Sequence, residues 1–140
     1  QYAAVIPKFV ESILQFESPA VFGDGEQSRD FTYIDNVIQM NLNALSTISS
    51  QAFGEVFNVA CGSRITINEL FFSIRDLLSK YDKSLNTVEA THIGERAGDI
   101  RHSLADISKA QSHLNYIPTH DCQQGLEEAM NWYWNSLRGD

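Results

Sequence analysis

Two arginines, each set beside an acid in a glycine-bearing stretch, are the side chains of this sequence best suited to hold an anion. Arg29 ends the run FGDGEQSR and opens RDFTY, within residues 22–33. Arg96 lies in GERAGDIRHSLAD, residues 94–106. A guanidinium presents a planar fork of donors that matches phosphate oxygens. Gly23 and Gly25 let the backbone bend sharply and come close to a flat ligand. Asp99, three residues after Arg96, is placed to accept hydrogen bonds from ribose or sugar hydroxyls. Both stretches also have a plainer reading, which residue types alone favour. The first is then a hairpin turn with Arg29 paired to Asp24 or Asp30, and the second a solvated charged loop. His102 is better read as structural than as catalytic, and so is Asn58 in FNVACG, whose amide needs a partner if the segment is buried.

What the chain lacks narrows its chemistry further. It has no GxGxxG or GxxGxxG run to cradle a dinucleotide pyrophosphate. None of its tyrosines is followed four residues later by a lysine: Tyr2, Tyr33, Tyr81, Tyr116 and Tyr133 meet Ile6, Val37, Leu85, His120 and Leu137 there. No serine–histidine–acid set stands out. Cys61 and Cys122 are far apart, with no metal-type spacing, and read as two free thiols of a reducing compartment. The sequence therefore offers binding groups without catalytic ones, and no metal site.

Composition sets the frame for these groups. The 140 residues suffice for one domain with one core, and an apolar share of 43% argues against disorder. The net charge of −8 speaks against nucleic acid or an anionic membrane as partner, since either needs a basic face. A few local arginines can still hold a small anion. No apolar run approaches the roughly 18 residues of a membrane span, and no basic, apolar leader is visible. A soluble, cytoplasmic protein is the default expectation. The chain opens on Gln-Tyr-Ala-Ala and runs directly into structured-looking sequence, so residue 1 is read as a cut point inside a longer protein.

The elements that must position these residues follow from periodicity. Val5, Phe9, Ile13 and Phe16 predict a helix over 5–17, with Pro7 in its first turn. An extended piece over 19–22 breaks at Gly23-Asp24-Gly25, and a strand is expected over 29–33. Asp35 is the expected cap of a helix over 36–50, burying Val37, Met40, Leu42, Ala44, Leu45 and Ile48. Residues 55–60 read as a buried strand. Thr66 or Asn68 caps a helix to about Tyr81, with Leu70, Phe71, Ile74, Leu77 and Leu78 inward. A strand over 87–93, a polar loop over 94–103, a short helix over 107–114 capped by Asp106 and a last helix over 122–137 complete the pattern. Leu126, Met130, Tyr133, Trp134 and Leu137 mark the last helix. Helices mixed with a few short strands give an α/β or α+β class. So small a sheet leaves apolar faces uncovered, which again suggests a partner half.

Taken in order, YAAVIPKF, FGDGEQSRDFTYIDNV, FNVACG, ERAGDIRHSLADISKA and GLEEAMNWYW are similar to the C-terminal part of the extended short-chain dehydrogenase/reductase family of NAD-dependent sugar-nucleotide epimerases. Within it they resemble the UDP-N-acetylglucosamine 4-epimerase branch. The resemblance spans nearly the whole chain. It implies an α/β fold in which residues 1–140 are the nucleotide-sugar-binding C-terminal region, with the NAD-binding Rossmann core and its Tyr-x-x-x-Lys pair in roughly 190 to 200 residues upstream. By the same resemblance Arg29 binds the diphosphate or the ribose, Arg96 grips the diphosphate, Asp99 the ribose, and Ala4 and Val5 line the uracil pocket, with Val21 to Gly23 assigned to it more loosely. Ser103 falls where the family gates sugar size. A tyrosine there excludes a 2-acetamido group by overlap, and a serine leaves room for it.

The resemblance further implies a full-length enzyme that uses NAD to oxidise and re-reduce C4 of a UDP-N-acetylhexosamine. This region would hold UDP as the pivot, bind no cofactor itself and be inactive alone, and the whole enzyme would form a homodimer. Two other readings stay open. One is the same region of a sugar-nucleotide 4,6-dehydratase or of a UDP-uronic acid epimerase or decarboxylase. The other is a non-catalytic binding or assembly module.

Overall fold

The computed structural model describes residues 5–138. Its elements in chain order are α1 (Val5–Leu14), β1 (Ala20–Phe22), β2 (Ser28–Arg29), α2 (Ile34–Ser46), β3 (Ile65–Thr66), α3 (Ile67–Ser79), β4 (Thr91–Ile93), α4 (Ser108–Leu114) and α5 (Cys122–Arg138). Single 3-10 turns lie at Ser50–Ala52 and Lys83–Thr87. The chain divides into two compact units: residues 1–28, 66–102 and 126–140 form the first, and 29–65 with 103–125 the second. β2 and β3 each contain one of the crossing points.

The first unit is built on α3. Its apolar residues fall on one stripe, and Ile67, Leu70, Phe71, Ile74, Leu77 and Leu78 are all buried. Thr66 rather than Asn68 caps it. The Thr66 hydroxyl accepts from Glu69 N–H at 3.1 Å while Glu69 accepts from Thr66 N–H at 2.8 Å, a reciprocal capping box. α1 packs on this stripe through Phe9, Val10, Ile13 and Leu14, with Phe9 edge-on to Phe71 at 5.8 Å. It stops at Leu14, short of the expected Glu17, because Phe16 turns to φ 58°. β1 and β4 pair in parallel, Ala20 opposite Thr91 and Phe22 opposite Ile93. β4 is shorter than the strand expected from residue 87, since Lys83–Thr87 closes into a 3-10 turn capped by Asp82. From α5, Leu126 and Met130 are buried while Leu137 is exposed. Trp134 stacks on Tyr81 at 4.9 Å, and Arg138 lies over its ring and pairs with Asp82.

The second unit has its core in Met40, Ala52, Ala60, Ile107, Ala110, Leu114 and Tyr116. Residues 55–60 pair with no strand among the described residues, contrary to expectation. Nor is the segment buried throughout: Phe57 and Val59 pack on the core, but Glu55, Val56 and Asn58 face outward. Asn58 donates to the Asp106 carbonyl at 3.1 Å, a structural role. The expected strand over 29–33 likewise shrinks to Ser28–Arg29.

α2 corrects two further expectations. It starts at Ile34 behind Tyr33, which makes no side-chain cap, and Asp35 sits in its first turn. It also ends at Ser46, and its buried residues are Asn36 and Met40. Leu42, Ala44, Leu45 and Ile48, expected inside, are exposed, as are Ile34 and Ile38. The helix carries two apolar stripes, and the one containing a polar residue packs. The reason is the chemistry of Asn36, which is fully buried. Its Oδ1 accepts from Thr119 N–H, Thr119 hydroxyl and His120 N–H at 2.9, 3.1 and 3.1 Å. Its Nδ2 donates to the His120 carbonyl at 2.8 Å and faces Cys61 Sγ at 3.6 Å.

Replacing Asn36 with Ala is expected to lower unfolding free energy by about 2–4 kcal/mol, because several buried partners lose their bonds at once. Urea unfolding checks this; a change within about 0.5 kcal/mol would contradict it.

Candidate functional site

A cleft of about 110 Å³ opens in the first unit where the two parallel strands end. Phe22, the last residue of β1, with Gly23 and Gln27 beyond it, makes one wall. Glu95, Arg96, Asp99 and Arg101, following β4, make the other. The parallel pairing explains the meeting: both chains leave the ladder at the same end. Gly23 N–H continues the ladder to the Ile93 carbonyl at 2.9 Å. The loops meet again at Ser28, whose N–H donates to the Arg101 carbonyl at 2.9 Å.

The first wall is tightly fastened. Gly25 adopts φ 75°, and a Cβ there would collide with the Asn68 side-chain amide, so glycine is required on both counts. Gln27, nearly buried, donates from Nε2 to the Phe22 carbonyl at 2.8 Å. The second wall is solvent-exposed over residues 94–101. A turn closed by Asp99 N–H on the Arg96 carbonyl, 3.1 Å, sets these two side chains on one short bend.

Charge on the cleft is divided unequally. Arg101 forms a bidentate pair with Asp24, at 2.6 and 2.7 Å. That fork, with a further bond from Glu26 N–H, lowers the Asp24 carboxyl to about 2. Arg96 makes no ion pair among the described residues, which leaves its donors for an incoming anion. The cleft is smaller than the ~300–1,000 Å³ of pockets that enclose a whole drug-sized ligand. It matches one charged group of a ligand rather than a complete nucleotide sugar.

The expected site residues are thus distributed. Arg96 and Asp99 share this cleft with Gly23. Arg29 and Ser103 belong to the second unit, Arg29 half-buried and Ser103 exposed. Val5 opens α1, half-buried, and Ala4 lies outside the described residues. The acids once considered as partners of Arg29 have other roles: Asp24 takes Arg101, and Asp30 accepts Cys61 and Gly62 N–H at 3.0 Å each. His102 is structural, with Nδ1 2.9 Å from the Ser28 hydroxyl. The Asp24–Arg101 pair was not foreseen, and Arg101 had no signal beyond its place in the charged loop.

A larger hollow of about 480 Å³ in the second unit runs past Cys61, Gly62, Ala105, Ile107 and Pro118, and no cation lines it. Burial, then the neighbouring Asp30 carboxylate, pushes the Cys61 thiol up. Cys122 is pushed up to about 11, first by burial and then by Cys61 and nearby acids. Among the described residues no cluster of histidine, cysteine or acid is placed for a metal, and no helix is long and apolar enough to cross a membrane.

Residues 1–60 match the model of the NAD dependent epimerase/dehydratase family. A solved UDP-N-acetylglucosamine 4-epimerase of Methanobrevibacter ruminantium, in complex with UDP-N-acetylmuramic acid, is 40% identical over 96% of this chain, with a TM-score of 0.82. Over nearly its whole length this chain is thus similar to epimerases of that kind. A UDP-glucose 4-epimerase structure from Thermotoga maritima, holding UDP-glucose, is 33% identical over 98% of the chain, again at 0.82. A UDP-glucuronate 4-epimerase of Thermodesulfobacterium geofontis is 30% identical over 89% of the chain. The chain spans about two fifths of the length of these proteins: 40% and 41% of the two structures and 36% of the third. Among the described residues the α/β arrangement of five helices and few strands matches part of the extended short-chain dehydrogenase/reductase fold.

The Cys122 thiol gives a direct check on this environment. With a pKa near 11, its reactive thiolate is scarce below that pH and grows as pH rises toward it. Alkylation by iodoacetamide at pH 8, followed by mass spectrometry, is expected to be more than about tenfold slower at Cys122 than at an unperturbed thiol.

Proposed function

We propose that residues 1–140 are the substrate-gripping C-terminal part of a longer NAD-dependent 4-epimerase acting on UDP-N-acetylhexosamines. The carrying observation is the cleft in which Arg96, with no acid on it among the described residues, faces the ligand side of the same bend as Asp99. Arg96 neutralises diphosphate charge there, and Asp99 accepts from ribose hydroxyls. Both hold the part of the substrate that does not react, so their binding energy anchors UDP while the sugar turns over. Arg29 supplies a second diphosphate contact, and Val5 with Ala4 borders the uracil. Ser103 leaves room for the acetamido group. The solved relative named for UDP-N-acetylglucosamine, at 40% identity, supports this sugar.

The residues present do not fit NAD itself. Gly23 and Gly25 lead from β1 into β2 and not onto a helix N-terminus, so they make no pyrophosphate cradle of the dinucleotide type. NAD and the proton-transferring groups belong to the part of the protein that we place upstream. The uncovered stripe Ile34, Ile38, Leu42 and Leu45 on α2 supports a large apolar partner surface of that kind.

A second reading is kept because relatives at 30% identity and above include UDP-glucuronate 4-epimerases. The full-length enzyme, loaded with NAD, decides between them. Interconversion of UDP-N-acetylglucosamine and UDP-N-acetylgalactosamine is expected. Turnover of UDP-glucuronate with none of the acetamido sugars would replace the first reading with the second.

Two variants of that enzyme test the residue roles. Arg96→Gln is expected to raise KM about tenfold or more with kcat little changed, the mark of lost uniform binding. Ser103→Tyr is expected to abolish activity on the acetamido sugar while sparing UDP-glucose, measured by competing the two substrates in one assay.

A further inference from the structure

The two walls of the cleft are anchored by different means. The turn over 23–26 is fastened to α3 and β4. Asn68 donates from Nδ2 to the Asp24 carbonyl at 2.9 Å and to Glu26 Oε1 at 2.8 Å, and its N–H donates to the Gly25 carbonyl at 3.1 Å. His92 Nδ1 lies 2.9 Å from the Gly23 carbonyl. Loop 94–101 leaves the ladder at Ile93 and returns to it at Arg101, exposed throughout. From that loop the Arg101 fork reaches back to the fastened turn, across 77 residues of sequence.

We propose that the Asp24–Arg101 pair is a positioning device, which references loop 94–101 to the hydrogen-bonded turn over 23–26 and so sets the aim of Arg96 and Asp99 at the phosphate end of a nucleoside diphosphate. The ligand half of this statement rests on the reading given under Proposed function. Three observations carry the inference. A bidentate guanidinium–carboxylate pair fixes orientation as well as distance, which a lysine in place of Arg101 would not do. Both partners are half-exposed, at 53% and 55%, where solvent screens ion pairs, so a contribution to global stability does not account for the pair. The fork is also spent on Asp24, which leaves the pair neutral and Arg96 as the cation of the cleft. Arg101 is thus a positioning residue and not a ligand contact.

The test has two readouts on the full-length protein at pH 7. Backbone ¹⁵N order parameters report the loop, and calorimetric titration with UDP reports the cleft. The variants are Asp24→Asn, Arg101→Lys and the reversed double variant Asp24→Arg with Arg101→Asp. In both single variants the order parameters of residues 95–100 are expected to fall below about 0.6 while those of α1 and α3 hold near 0.85. UDP affinity is expected to drop about tenfold, and the reversed pair to recover part of both losses. Arg101→Lys keeps the charge and guards against a misfolded Asp24→Asn. Unchanged order parameters in the single variants overturn the proposal whatever UDP does. A loosened loop with undiminished UDP affinity overturns it too, since aim would then not matter. A wild-type chain that ignores UDP while its variants loosen as expected upholds the positioning pair and brings down the reading of the cleft instead.

Discussion

Three residues of parallel backbone pairing decide where the chemistry of the first unit lies. Ala20–Phe22 and Thr91–Ile93 run in the same direction, so the segments that follow them must emerge side by side. Antiparallel pairing would have sent the glycine turn and the charged loop to opposite ends. In open α/β sheets ligands gather at the carboxyl ends of strands for this same reason. The ladder here is very short, yet it is extended by Gly23 to Ile93 and resumed by Ser28 to Arg101. Between these ties both chains bow outward, and the cleft is the space between the two bows.

What keeps so small a ladder in register is the packing beneath it. Val21, at its centre, is buried, and α1 and α3 lie on their shared apolar stripe in the same unit. α3 also supplies Asn68, so one helix both fills the core and fastens the glycine turn. The second unit relies on a different device. There a single amide, Asn36, gathers residue 61 and residues 119–120 around the first turn of α2. A buried amide with every donor and acceptor engaged specifies one arrangement, because any shift leaves polar groups unpaired.

This division also explains what was legible in the sequence. The stripe of α3 was readable, since the five residues expected inward are all buried, while the choice between Thr66 and Asn68 as its cap needed the structure. α2 was found but turned the wrong way, because periodicity counts apolar residues and gives no weight to the asparagine that decides which side packs. The apolar residues of 55–60 were visible, but a ladder depends on a neighbouring strand, which local pattern does not encode. In the site, Arg96, Asp99 and Gly23 were identifiable from residue type and glycine context. The pairing of Asp24 with Arg101 was not, because contact between residues so distant is a product of topology. Arg29 was singled out by residue type in the same way but does not line this cleft, and Ser103 rested on family resemblance alone.

The unladdered stretch over 55–60 has a consequence for handling the protein. Its outer residues include Val56, 83% exposed, beside the exposed Phe53, and the N–H groups of 56–60 meet no backbone carbonyl among the described residues. The carbonyls of Val56 and Ala60 are already held by Lys109 and Tyr116, so the stretch is a half-fastened edge with its donors still available. An extended peptide added in trans would meet those donors first at the exposed end around Val56.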